Sequence, residues 1–347
     1  MKVLNMFLLL IVGISFSFCT GDIPPLTEEE ENATILKEVV PKKLNLSKDL
    51  VDKNPEFSGL TWFNDYLLLI PQFPNRVSPQ ANGAIPYLHR DSVIAAIENE
   101  NIVLEPKYFK LIAAGLENFF DPGSGFESAT ISGNNIYLTI ESVKGINTTG
   151  FVVMGEINPD EETIVLSEES LSEIKQVVEI FNFSDETIIY SNDHIYTFYE
   201  ANGKNVNPYP VSHIFSKTLD PLGAVPSPSL EYRITDATSV DENNRFWVIN
   251  YYYPGEYDKI HPGVDSIVVT KGTGKSHLKS DITERLVEFE ILWDKIALTS
   301  SPPVLIQLDE SNRGNNWEGI ARLDNFGFLM VTDTYPDDAL YFIKTGK

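Results

Sequence analysis

Short apolar–polar alternations, broken by Asn, Asp and Gly, recur along the chain and predict β-hairpins. Five of them share one form. They are SGLTWFNDYLLLIPQ (Ser58–Gln72), ESATISGNNIYLTIE (Glu127–Glu141), ETIIYSNDHIYTFYE (Glu186–Glu200), DATSVDENNRFWVIN (Asp236–Asn250) and EGIARLDNFGFLMVTD (Glu318–Asp333). Each couples a short strand, a tight turn and a second strand of aromatic and β-branched residues. Two more strand candidates follow each of the first four: IPYLHR and YFKLIAAG, GFVVMGEI and IKQVVEIF, VSHIFSKTL and LEYRI, ERLVEFEIL and PVLIQLD. Only ALYFIKTG follows the fifth, and TILKEVVPKKLNL near the N-terminus supplies the missing partner.

Repetition of this kind decides a fold. Four strands per unit, five units and a closing strand from the other end describe an all-β protein. It is a β-propeller of five four-stranded blades, a ring with no open sheet edge. One such domain spans 33–347. The fourth interval contains a loop insertion near 254–281, and a degenerate sixth blade there is the alternative. DSVIAAIENE reads as an outer helix.

The first 19 residues, MKVLNMFLLLIVGISFSFC, read as an export signal: one Lys, then an apolar run too short to span a membrane. The chain's one cysteine, Cys19, stands where the run ends. It resembles the lipidated cysteine of bacterial lipoproteins, except that Phe18 before it is bulky where a small residue is usual. Anchoring to the cell envelope is expected, with plain secretion as the alternative. Residues 20–32 form a polar, acidic tether. The net charge of −24 argues against nucleic acid and anionic membrane as partners and favours cations.

The innermost strand of a propeller blade runs along the central channel, so its first residue lies near the axis. Superposing the five hairpins puts Ser58, Glu127, Glu186, Asp236 and Glu318 there. Crowded carboxylates raise one another's pKa or recruit a cation. Calcium, which takes ~6–8 oxygen ligands in flexible geometry, suits this ring. The hairpins return to the same rim at Gln72, Glu141, Glu200, Asn250 and Asp333, a second shell of oxygen-bearing groups. Loops beyond them carry Arg76, Lys144, Lys204, Lys259 and His261, which suit a phosphate or carboxylate. A plainer account competes at each position, since acids at strand starts also cap turns. GTGKS (Gly272–Ser276) is not a phosphate-binding loop, because Val269 stands where a glycine is required.

SGLTW, FESAT and WEGIA…FLMVTD resemble motifs of the phytase-like (esterase-like) propeller family of secreted bacterial proteins, which implies a propeller. The acid ring also resembles that of the calcium-activated nucleotidases (apyrases), five-bladed propellers with one axial calcium. That resemblance implies ligand roles for Ser58, Glu127, Glu186 and Glu318, with Asp236 a more acidic variant. The apyrases' Arg-rich nucleotide-binding loops have no counterpart. The expectation is an extracytoplasmic, monomeric calcium-binding propeller. It would act as a hydrolase of a small phosphoester or other ester, or alternatively as a non-catalytic binder of a surface glycan or protein. Arg76 and Lys144 converging over the metal would mark the enzyme. An exposed aromatic cluster at YYYPGEY (Tyr251–Tyr257) would mark the binder.

Overall fold

The computed structural model describes residues 33–116, 124–309 and 314–345. The export signal, Cys19 and the tether lie outside them. Each of the five hairpins forms the inner half of a blade. Blade 1 comprises Phe57–Phe63, Tyr66–Pro71, Ala84–His89 and Lys107–Ile112. Blade 2 comprises Ser124–Ser132, Asn135–Lys144, Asn147–Asn158 and Thr163–Leu166. Blade 3 comprises Asp185–Ser191, His194–Tyr199, Val211–Ser216 and Pro221–Pro226. Blade 4 comprises Arg233–Ala237, Arg245–Tyr252, Thr283–Ile291 and Val304–Ile306. Blade 5 has Trp317–Leu323, Gly327–Thr332 and Ala339–Lys344 from the C-terminal part of the chain. Its fourth strand is Lys42–Leu46, with Leu44 opposite Leu340.

The innermost strands touch in the order 1-2-3-4-5-1. The ring is therefore closed, and the fold is a five-bladed β-propeller. The alternative of a sixth blade finds no strands in 254–281. That insertion holds two short helices, Tyr257–Ile260 and Ser266–Lys271, clamped to blade 4 by the buried Arg285–Asp265 ion pair at 2.6 Å. The expected outer helix is Arg90–Glu98.

Two outer strands differ from expectation. IKQVVEIF contributes only the end of a short edge strand, Ser172–Ile174, and TIVL (163–166) completes blade 2 instead. LEYRI leads into the inner strand of blade 4, while PLGAVP (221–226) closes blade 3. An outermost strand faces solvent and needs no apolar run, and PLGAVP is almost wholly exposed.

Apolar side chains fill the wedges between blades. Phe198 of blade 3 meets Phe246 of blade 4 at 5.6 Å between ring centroids, and Phe289 packs on both. Before closing blade 5, the N-terminal segment also runs along blade 4, where Glu38 and Val39 pair with Leu305 and Ile306. The glycines of GTGKS permit this approach. A Cβ at Gly272 would meet the Thr34 carbonyl oxygen at 2.3 Å, and one at Gly274 the Glu38 carboxylate at 2.0 Å.

Candidate functional site

At one point in each innermost strand the pairing with the second strand slips. Phe57 pairs with Pro71 and Gly59 with Ile70, which leaves Ser58 without an opposite number. Such a bulge bends the strand and re-aims the extra side chain. Glu186 and Glu318 occupy the same slip in blades 3 and 5. In blades 2 and 4 the slip covers Glu127–Ser128 and Thr235–Asp236. Counting from the paired residues on either side, Ser58 corresponds to Glu127, Glu186, Thr235 and Glu318. Two hydroxyls follow this register. Ser58 Oγ donates to the Phe126 carbonyl and Thr235 Oγ1 to the Trp317 carbonyl, each at 2.7 Å and each to the residue before a ring glutamate.

Asp236 is therefore outside the ring, contrary to expectation. It lies one step deeper, level with Gly59, Ser128, Thr187 and Gly319. Its carboxylate accepts from the Leu60 N–H at 3.3 Å, the Ile320 N–H at 2.8 Å and Ser128 Oγ at 2.5 Å. One side chain of blade 4 thus ties blades 1, 2 and 5 together. Burial pushes its carboxyl up to about 8 despite these donors. Asn250 is displaced by the same step. It pairs with Ile234, donates to the Glu231 and Arg233 carbonyls and accepts from Arg285 Nε. The cause is the longer hairpin turn of blade 4, which offsets any superposition of fixed length. Tyr251, not Asn250, stands level with Gln72.

Ser58, Glu127, Glu186 and Glu318 line one cavity of about 310 Å³ at the axial mouth, together with Gln72, Glu141 and Asp333. Glu200 is fully buried behind it. The walls include a residue that the spacing did not mark, Arg233. Its Nε donates to Glu200 at 2.5 Å, Nη2 to both oxygens of Glu186 at 3.1 and 3.2 Å, and Nη1 to Glu256 at 3.3 Å. Glu318 Oε1 is 3.6 Å from Nη2. Glu256 arrives from the insertion, on the one-turn helix Pro254–Glu256.

One guanidinium cannot balance so many carboxylates. Burial first, and then Glu141 and Glu186, hold Glu127 far above the usual carboxylate range. Burial and the nearby Glu186 lift Glu141 to about 7. Glu186, Glu200 and Glu318 are also raised by burial, although Arg233 pulls each of them back. Burial raises Asp333 as well. Oxygens of Glu141, Glu186 and Glu200 lie within 4.8 Å of one another. Arg233 serves the Glu186–Glu200–Glu318 side. On the other side, Glu127 receives only the Gln72 amide at 3.1 Å among the described residues. Glu141 Oε2 is buried and accepts no well-formed hydrogen bond among the described residues, although the neighbouring Ser184 hydroxyl and, from farther off, Arg233 and Lys259 favour its charged form. An oxygen-only donor set with an orphaned carboxylate oxygen fits a hard divalent cation.

The outer basic residues do not form a clamp. Arg76 is bound to Glu56 at 2.5 Å and lies over the Phe73 ring at 3.9 Å. Lys144 ends its strand on the surface. Lys204 uses its backbone N–H on Glu231, and Lys259 sits over Phe183 at 4.8 Å. His261 is the left-handed residue that ends the Tyr257–Ile260 helix. YYYPGEY is not an exposed cluster either: Tyr251 and Tyr252 are buried, and Tyr252 stacks on Tyr232 at 4.8 Å.

No known family profile matches the chain, and no curated protein does. Solved structures do resemble it. A putative glycoside hydrolase from Parabacteroides distasonis is 12% identical, with a TM-score of 0.46 over 91% of this chain and 95% of that one. The soluble aldose sugar dehydrogenase of Escherichia coli is 10% identical, at 0.44 over 89% and 98%. An exo-1,5-alpha-L-arabinanase from a bovine ruminal metagenomic library is 10% identical, at 0.43 over 89% and 95%. Likeness at this level leaves the activity open.

Proposed function

We propose that this protein is an extracytoplasmic calcium-binding propeller, held at the cell envelope through Cys19, whose axial mouth receives a small, oxygen-rich, uncharged ligand. One observation carries the reading: Glu127 and the orphaned oxygen of Glu141 share a buried cavity, and neither is ion-paired to a basic side chain among the described residues, Arg233 and Lys259 acting on Glu141 only from a distance. Glu127 and Glu141 would hold the ion, with Glu186 and Glu200 within reach of Glu141 and neutral oxygens from Gln72 and Ser58. Zinc is disfavoured, because no His or Cys lines the cavity among the described residues. Arg233 keeps Glu186 and Glu318 fixed beside the ion. A phosphoester fits less well. Arg233 is committed to Glu186, Glu200 and Glu256 and Arg76 to Glu56, which leaves the anion no free guanidinium among the described residues that line the cavity.

Thermal melting tests this. Calcium at 100 times its dissociation constant adds roughly 2.7 kcal/mol to a folded state that alone binds it. The midpoint should rise with calcium, fall back with EDTA and respond less to magnesium. Glu127→Gln and Glu141→Gln should each remove the rise. A midpoint indifferent to every divalent ion would overturn the reading.

A hydrolytic role has its own support. Without an ion, Glu141, lifted to about 7 by burial and Glu186, would donate a proton while a neighbour stays ionised, a role that excludes Glu141 as an ion ligand. Release of nitrophenol from nitrophenyl glycosides and esters, with and without Glu141→Gln, tests that separately.

A further inference from the structure

The second strand of every blade ends at the mouth, and the loop that follows presents a large apolar side chain. Blade 1 has Phe73, which lines the cavity itself. Blade 2 has Ile146, 86% exposed, and blade 3 has Tyr209, 84% exposed. Blades 4 and 5 have Tyr253 and Tyr335, each 46% exposed. Phe181, 53% exposed, adds a sixth beside the cavity residue Asn182. Short links tie the tyrosines of blades 4 and 5 to the site. The Tyr253 carbonyl accepts from the N–H of Glu256, which holds Arg233, and the Tyr335 carbonyl accepts from the N–H of the cavity residue Asn316. An apolar collar of Phe73, Phe181, Tyr253 and Tyr335 thus flanks a polar, acidic pocket, with Ile146 and Tyr209 exposed on the loops of blades 2 and 3.

We propose that this collar is a stacking platform for a neutral saccharide, whose terminal unit enters the cavity. The inference rests on the reading of the mouth as a site for an uncharged, oxygen-rich ligand and names its class. A sugar ring offers an apolar C–H face to an aromatic plane and hydroxyls at its edge. Those hydroxyls donate to carboxylates and accept from amides, and the cavity wall offers both, from Glu186 and Glu318 and from Gln72 and Asn316. Apolar walls with a few convergent polar groups are what oriented small-molecule binding requires. Anionic ligands meet a chain of net charge −24. A basic peptide gains little inside a pocket whose charge is met by Arg233 and the bound ion.

The full-length folded protein, with calcium present, would be titrated calorimetrically with neutral pentose and hexose oligomers, an acidic oligosaccharide and oligolysine. Saturable binding of a neutral oligomer is expected. Tyr253→Ala and Tyr335→Ala should each weaken it roughly three- to tenfold, the worth of one aromatic contact. Their calcium-induced melting shift should stay as in the parent, which shows that they fold. Binding of oligolysine alone, of no neutral oligomer, or of one unaffected by the double variant would overturn the inference. Saccharide binding without any calcium shift would instead overturn the calcium reading and leave this one standing.

Discussion

Asp236 and Glu127 are both buried carboxylates near the axis, yet their surroundings give them opposite tasks. Asp236 accepts three hydrogen bonds from three other blades, so its removal strands two backbone N–H groups and a hydroxyl. Each such loss costs about 1–3 kcal/mol. Asp236→Ala should therefore lose roughly 3 kcal/mol or more in urea denaturation, while any calcium-induced shift survives. A variant of parental stability would remove the cross-brace. Arg233→Met exposes the other arrangement. It leaves Glu186 and Glu200 buried without their cation, a change that costs roughly 3–5 kcal/mol. Acid should restore part of that loss, because protonation discharges the stranded carboxylates. Four of the five residues at this register, Ser58, Glu127, Glu186 and Glu318, were legible as polar groups at a fixed place in the repeat, and Thr235 was missed. Arg233, two residues before it, was not legible either. Its equivalents in the other blades are Glu56, Gly125, Ser184 and Asn316, and no spacing rule records how far a guanidinium reaches.

The hairpins were the most legible elements, for a reason visible in their turns. Asn64, Gly133, Asn192 and Asp193 all have positive φ, which tight hairpin turns demand and these residue types tolerate. Outer strands lacked such a signal, because solvent on their flank relaxes the apolar alternation. Blade 4 misled by its longer turn, and with it the expected places of Asp236 and Asn250. Innermost strands obey a different constraint, since they crowd the axis. A Cβ on Gly319 would lie 2.8 Å from the Gly59 carbonyl carbon and 2.6 Å from Val331. Gly319→Ala should thus force blades 1 and 5 apart at a cost of about 1–3 kcal/mol, read as a lower melting midpoint. An unchanged midpoint would show that the two strands have slack.

Across the whole molecule, the raised carboxyls make stability depend on pH in a definite direction. Burial holds Glu141 at about 7 and Asp236 at about 8 when folded, against 4.5 and 3.8 ordinarily. It likewise lifts Glu284, buried on the third strand of blade 4 where the Trp317 indole donates to it, from 4.5 to about 7. Between those limits the folded chain holds protons that the unfolded chain has released, so stability falls as pH rises through the window. In EDTA the melting midpoint should decline from pH 5 to pH 8. Calcium should flatten the decline by replacing protons at Glu141. A midpoint that climbs over that range in EDTA would contradict the burial of these groups.

Ring closure has a further consequence, for biogenesis. Lys43 and Asp337, joined at 2.5 Å across the seam, are 294 residues apart in the chain. The strand Lys42–Leu46 must wait for a partner made about 300 residues later, and such distant pairing slows folding. Until Ala339–Lys344 is made, Lys42–Leu46 has no antiparallel partner and blade 5 stays open. The earlier blades can thus form one after another while the ring stays open, and the seam locks them together last.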